Sequence, residues 1–189
     1  MREYAPATFH VIGPTGPRAD SVPLDALTEW HNGWFAYVTG DAARPPVSFG
    51  AASFTTSEYA HMADVRNVFV GARIVAVVAA VIAGLLLALA WRRSPRAALL
   101  LVRDGSVAAS TGIAVVAVLA AVVFDQLFLL FHQVFFPQGN FLFGADSNLI
   151  AMYPDQYWYG VTLRIAVVFV AATAITAIGA TATLRRTRR

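Results

Sequence analysis

Four histidines and eleven carboxylates, with no cysteine and no lysine, set the chemistry that this 189-residue sequence can do. Two of the histidines stand in patterned surroundings. Glu58, His61 and Asp64 follow one another at intervals of three. On a helix they fall within an arc of about 120°, so their side chains can meet. Further on, Asp125, Gln126, His132 and Gln133 share one face of an otherwise apolar helix, while Phe124, Phe128, Phe131 and Phe135 share another. Polar groups aligned in this way call for a protein-facing or wet surface and not for lipid. An imidazole whose tautomer is fixed by a carboxylate takes a proton from a hydroxyl or amine near neutral pH, and a second imidazole can supply one to a leaving oxygen. A cationic floor or backbone donors could stabilise the oxyanion of an acyl transfer.

The same groups admit a second chemistry, in which His61, His132 and two or three carboxylates hold zinc or manganese. The sequence has no pair of histidines four apart on a helix, which weighs against it, and no metal is expected. There is no G-x-S-x-G, no H-E-x-x-H and no glycine-rich phosphate loop before a helix. Without cysteine there are no thiol nucleophiles, thiolate metal sites or disulfides. His10 and His31, in a turn-rich stretch, read as ordinary hydrogen-bonding residues.

The elements that must carry these groups follow from composition. Apolar residues make up 58% of the chain and charged ones 13%, and the mean hydropathy is +0.60, a balance that argues against a soluble enzyme. Residues 74–91, 105–124 and 165–184 carry no charge, and each run is long enough to cross a hydrocarbon core of about 30 Å. In lipid a single segment satisfies its own backbone only as a helix. The expected fold is therefore an all-α polytopic membrane protein. Residues 1–57 form a small extracytoplasmic cap, residues 58–184 a helical domain with spans near 68–91, 106–131 and 163–184, and residues 185–189 an arginine-rich tail. In the cap, residues 23–30 read as a short helix, and 9–12, 34–38 and 47–54 read as brief strands or a helix followed by strands. Residues 55–66 begin with an N-cap signature and run as helix into the first span.

Arg92, Arg93, Arg96 and Arg103, with Arg185, Arg186, Arg188 and Arg189 of the tail, mark the cytoplasmic side. The cap, the site and residues 125–164 then face outward, with the C-terminus in the cytoplasm. The net charge of +3 is thus a statement about topology, and no nucleic-acid partner is expected. An outward cap with no leading hydrophobic segment implies a first helix missing upstream. Counting from the cytoplasmic arginines at about 1.5 Å per residue puts Arg73, Asp125 and Arg164 near the outer hydrocarbon edge, with His132 about 10 Å and His61 about 17 Å above it. Arg66 stacks above Arg73, seven residues apart. An Arg–Asp–Arg cluster at that level would be a helix-docking ion pair or a polar floor for an anionic or ester head group. Tyr153, Tyr157, Trp158 and Tyr159 read as an interfacial aromatic belt.

Three motifs in order, E-x-x-H-M-x-D-V at 58–65, F-H-x-x-F-F-P-x-G at 131–139 and D-x-x-L-I-x-x-Y-P at 146–154 followed by Trp158, resemble the bacterial integral membrane family that includes the lipoprotein intramolecular transacylase, Lit. The similarity spans roughly residues 30–175. It implies four spanning helices with a cap after the first, no cofactor, and membrane lipid and a bacterial lipoprotein as partners. The implied reaction moves an acyl chain from the glyceryl group to the amino group of the lipoprotein's N-terminal cysteine. The two motif histidines of the family fall on His61 and His132. In this reading Glu58 and Asp64 polarise His61, Asp125 or Asp146 serves His132, and Arg66, Arg73 and Arg164 contribute to binding. A non-enzymatic scaffold or lipid-binding protein and a metal-dependent lipid hydrolase are the alternatives.

Overall fold

A computed structural model describes residues 24–45, 54–144 and 147–187. Its helices in chain order are α1 (Leu24–Thr39), α2 (Thr56–Arg93), α3 (Pro95–Val122), α4 (Phe124–Phe135), α5 (Asn148–Met152) and α6 (Asp155–Arg186). Among the described residues every regular element is a helix, and none of the strands expected in the cap is found there. Residues 34–38, read as a brief strand or as part of a helix followed by strands, are the last turns of α1. Trp30, Trp34, Tyr37 and Val38 recur at helical spacing and are all buried. An aromatic and β-branched run looks like a strand locally, but this longer periodicity and its packing decide the outcome. Residues 9–12 and 47–53, together with His10 and Asp146, lie outside the described residues.

The chain divides into two compact units, one built from residues up to Ile74 with Asp125–Trp158, the other from Val75–Phe124 with the residues from Tyr159 onward. The core of the first joins Trp30, Trp34 and Phe54 to Met62 of α2 and to Leu149 and Met152 of α5. Phe54 meets Trp34 edge-on at 5.2 Å between ring centroids and Trp30 at 5.6 Å. Helix α1 stops at Gly40, whose φ of 89° is left-handed and open to glycine without strain, and whose N–H donates to Tyr37 O at 3.2 Å. Arg66 of α2 completes that end. Its guanidinium donates to the carbonyl oxygens of Tyr37 at 2.6 Å and Ala42 at 2.7 Å, and lies 4.8 Å from the centroid of the Tyr37 ring.

Helix α2 has 38 residues. At about 1.5 Å per residue it is about 57 Å long, against about 30 Å of hydrocarbon, so nearly half of its length exceeds what a span needs. Its first turn is a reciprocal cap. The Thr55 N–H donates to Glu58 Oε2 at 2.6 Å and the Glu58 N–H to Thr55 Oγ1 at 3.3 Å.

In the second unit, α3 begins after Ser94, whose Oγ accepts from the Ala97 N–H, with Pro95 in the first turn. Buried alanines at 120, 166, 177 and 180 and the hydrogen bond between Ser110 and Thr173 pack α3 against α6. Small side chains and a hydroxyl pair are how helices associate where lipid removes the hydrophobic drive. Large apolar residues such as Val75, Leu85, Val118 and Ile178 are more than half exposed. Helices α2, α3 and α6 are long and apolar enough to cross a membrane. The helical run that the sequence carries through 106–131 is interrupted at Val123, with φ −130° and ψ 44°. Asp125 then sits in the first turn of α4, where a carboxylate meets the positive end of the helix.

Candidate functional site

A cavity of about 190 Å³ opens inside the first unit. His31, His61 and His132 line it, and aromatic and aliphatic side chains make up nearly all the remaining wall. Helix α2 supplies His61, which is 8% exposed, and α4 supplies His132. The two imidazoles stack with centroids 6.0 Å apart and planes 16° apart. Phe136 packs at 4.7 Å from His61, and Phe128 and Phe141 flank His132 at 4.3 and 5.1 Å. Two residues distant in sequence thus share one largely dry pocket.

The loop after α4 holds His61. Pro137 ends α4 because it cannot continue the helix without clashing with the preceding turn. The Gly139 N–H then closes a turn on Phe136 O at 3.0 Å, with Gly139 itself at φ 75°. This reversal brings Gln138 and Asn140 over α2, where Asp64 Oδ2 accepts from Gln138 Nε2 at 2.7 Å and from Asn140 Nδ2 at 2.6 Å. Because Asp64 takes the amide nitrogen, the amide oxygen of Asn140 is the accepting side; it accepts from Gln138 Nε2 at 3.2 Å, and Asn140 also raises the pKa of the adjacent His61 as a hydrogen-bond acceptor. His61 Nδ1 is buried with no partner among the described residues, so Nε2 is the nitrogen toward Asn140. Asp64 therefore acts on His61 through Asn140. Burial lowers the His61 pKa most, the neighbouring His132 lowers it further, and Asn140 and Asp64 offset this only in part, leaving it at about 4. Near neutral pH the His61 imidazole is uncharged.

His132 has the opposite tautomer. Its Nδ1 lies 2.8 Å from Phe128 O, and a carbonyl only accepts, so Nδ1 carries the proton and Nε2 keeps its lone pair. Each ring of the pair thus has one nitrogen held by its own fold and one lone pair uncommitted. Among the described residues no three of His, Asp and Glu gather as a metal-ligand set.

Glu58 takes a different place from the one its spacing suggests. It is 1% exposed, and its carboxylate accepts from the Thr55 N–H and hydroxyl, from Ser147 Oγ at 2.6 Å and from the Leu149 N–H at 3.2 Å. Burial alone would raise its pKa. The bonds from Ser147, Thr55 and Leu149 together outweigh burial and hold the carboxyl below its ordinary range. Glu58 therefore ties the start of α2 to the start of α5. Arg66 is engaged with the end of α1. Arg73 and Asp125 are exposed, and no hydrogen bond or ion pair engages either among the described residues. Arg164 is exposed on α6.

Sequence reasoning passed over the third histidine. His31 is 2% exposed, its Nδ1 pairs with the Tyr153 hydroxyl at 3.0 Å, and Tyr157 packs against it. Tyr153, Tyr157 and Trp158 therefore line the cavity. The available signal was His31 at helical spacing within the Trp30–Trp34–Val38 stripe, which marks an inward face.

Three helices suited to a membrane, and a stacked histidine pair beside them in the chain, define a helical membrane protein with a polar centre in an apolar pocket. A family model for the lipoprotein intramolecular transacylase Lit matches residues 18–158, and the chain belongs to that family. No individual curated protein and no solved structure matches it.

Proposed function

We propose that this protein is an acyltransferase of the bacterial cytoplasmic membrane. It moves an acyl chain from the glyceryl group of a lipoprotein to the amino group of the same lipoprotein's N-terminal cysteine, with cap and cavity facing outward. The observation that carries this reading is the histidine pair, two stacked imidazoles in one apolar pocket with one uncommitted lone pair each.

The uncharged cysteine amine attacks the ester carbonyl carbon, and a C–N bond forms. His132 Nε2 takes a proton from the amine nitrogen. As the carbon–glyceryl oxygen bond breaks, the imidazolium returns that proton to the glyceryl oxygen. The products are an amide and a free glyceryl hydroxyl, and no other reactant is consumed. His61 stays uncharged and its Nδ1 lone pair holds the second N–H of the amine. Charge on His132 disfavours protonation of the neighbouring His61, so the proton taken from the amine stays on one ring. The apolar wall excludes water that would otherwise hydrolyse the ester.

Mass spectrometry of lipoprotein N-terminal peptides tests this in a host with no other N-acylating enzyme. The wild-type gene should move one acyl chain to the amine, and His61→Ala and His132→Ala should each lower the rate by about 10²–10⁴-fold. Full transfer by both variants would remove the proposal.

A further inference from the structure

Helix α1 presents two buried ring nitrogens that the acyl-transfer reading does not use. His31 Nε2 and Trp34 Nε1 are three residues apart on one face of α1, and both residues line the same cavity as the histidine pair. The residues are 2% and 0% exposed, and neither nitrogen has a hydrogen-bond partner among the described residues. The indole nitrogen of Trp34 can only donate.

The tautomer of His31 follows from Tyr153. The phenol carries one proton, and if it donates that proton to His31 Nδ1, the imidazole proton sits on Nε2 and a single donor is left over. With the reverse assignment both the phenol proton and the Nε2 lone pair are left unused. Burial also lowers the His31 pKa, so the ring is uncharged near neutrality and presents one N–H. Two donors orphaned in an apolar wall each carry the full cost of lost hydration. Such a pair is satisfied by one acceptor oxygen with two lone pairs.

We propose that His31 Nε2–H and Trp34 Nε1–H form a donor clamp for a carbonyl oxygen of the substrate's glyceryl esters, with Tyr153 fixing the tautomer of His31. The clamp rests on the acyl-transfer reading for the identity of its ligand. Its chemistry requires an uncharged carbonyl acceptor in an apolar setting. A lipoprotein with two acyl chains offers two such groups, the ester that reacts and the one that remains. His31 and Trp34 are positioning residues in this scheme, and the base remains with His61 and His132.

The test uses the full chain in lipid nanodiscs, carrying His132→Ala so that bound substrate persists, and a diacylglyceryl lipopeptide labelled with ¹³C at one ester carbonyl or the other. Infrared difference spectra should show one of the two labelled stretches moved to lower frequency. The shift should disappear in His31→Phe and weaken in Trp34→Phe and Tyr153→Phe. His31→Gln, which keeps an N–H donor near the Nε2 position, should retain it even if the Phe variant folds poorly. On the active background, His31→Phe should lower kcat/KM by about tenfold to a hundredfold. Unshifted carbonyls, or a shift indifferent to His31 and Trp34, would overturn the clamp whatever the protein's activity. A shift that depends on both residues, in a protein whose active form transfers no acyl chain, would uphold the clamp and sink the acyl-transfer reading alone.

Discussion

Glu58→Gln separates a carboxylate that builds the cap from one that does chemistry. The native carboxylate accepts from two donors of Thr55 on one oxygen and from Ser147 Oγ and the Leu149 N–H on the other. A glutamine amide has one oxygen and one NH₂, so in either orientation its NH₂ faces a backbone N–H. Hydroxyls can rotate to accept, but a backbone N–H cannot. One buried N–H is orphaned at a cost of about 1–3 kcal/mol, and loss of charge weakens the remaining bonds by about 1 kcal/mol in total. A central value of about 3 kcal/mol corresponds to roughly a hundredfold rise in the population of local opening. Hydrogen–deuterium exchange in detergent or nanodiscs reads this directly. Amides at the start of α2 and in α5 should exchange about a hundredfold faster, with those of α3 unchanged. Transacylation should fall only as far as the closed population falls. Unchanged exchange together with lost activity would refute the assignment and place Glu58 in the chemistry.

Four further outcomes are expected. Nuclear magnetic resonance of ¹⁵N-labelled imidazoles should find His61 uncharged at pH 5, since its pKa is about 4. A base whose folded pKa is depressed binds fewer protons when folded, so the cap should lose stability as pH falls from about 6.5 to about 4, and His61→Gln should flatten that dependence. Arg66→Gln removes two short charge-assisted bonds at the end of α1 and should cost about 2–4 kcal/mol, seen as faster proteolysis between residues 39 and 45. Gly139→Ala meets nothing within 4 Å, so only its φ of 75° opposes the change. It should cost about 1 kcal/mol in cap melting, and a neutral result would show that the turn after α4 tolerates a side chain.

The spans were legible because charge is scarce and its positions are telling. Eighteen or more residues without a charge have few soluble explanations, and the cap at Thr55 is local chemistry that a sequence displays. The histidine pair was legible through its motifs. The partners of the pair were not, because hydrogen bonds across 74 and 76 residues leave no local trace. Spacing placed Glu58 and Asp64 beside His61, yet Glu58 turns to Ser147 and Asp64 reaches His61 through Asn140. Charge also gave no hint that Arg66 serves the carbonyl oxygens of Tyr37 and Ala42, nor that His31, which carries no motif, lines the cavity. The strand alternative at 34–38 failed because a five-residue window cannot see a stripe that begins at Trp30.

The same long separations bear on how the protein is made. His31 waits 122 residues for Tyr153, and Glu58 waits 89 for Ser147. At about 5–20 residues per second the ribosome needs roughly 6–24 s to bridge the first interval. During it, two spans must enter the membrane while the first half of the cap stands without its second. The pocket therefore closes only once Trp158 has been made, and the histidine pair cannot assemble until two spans have been synthesised and inserted.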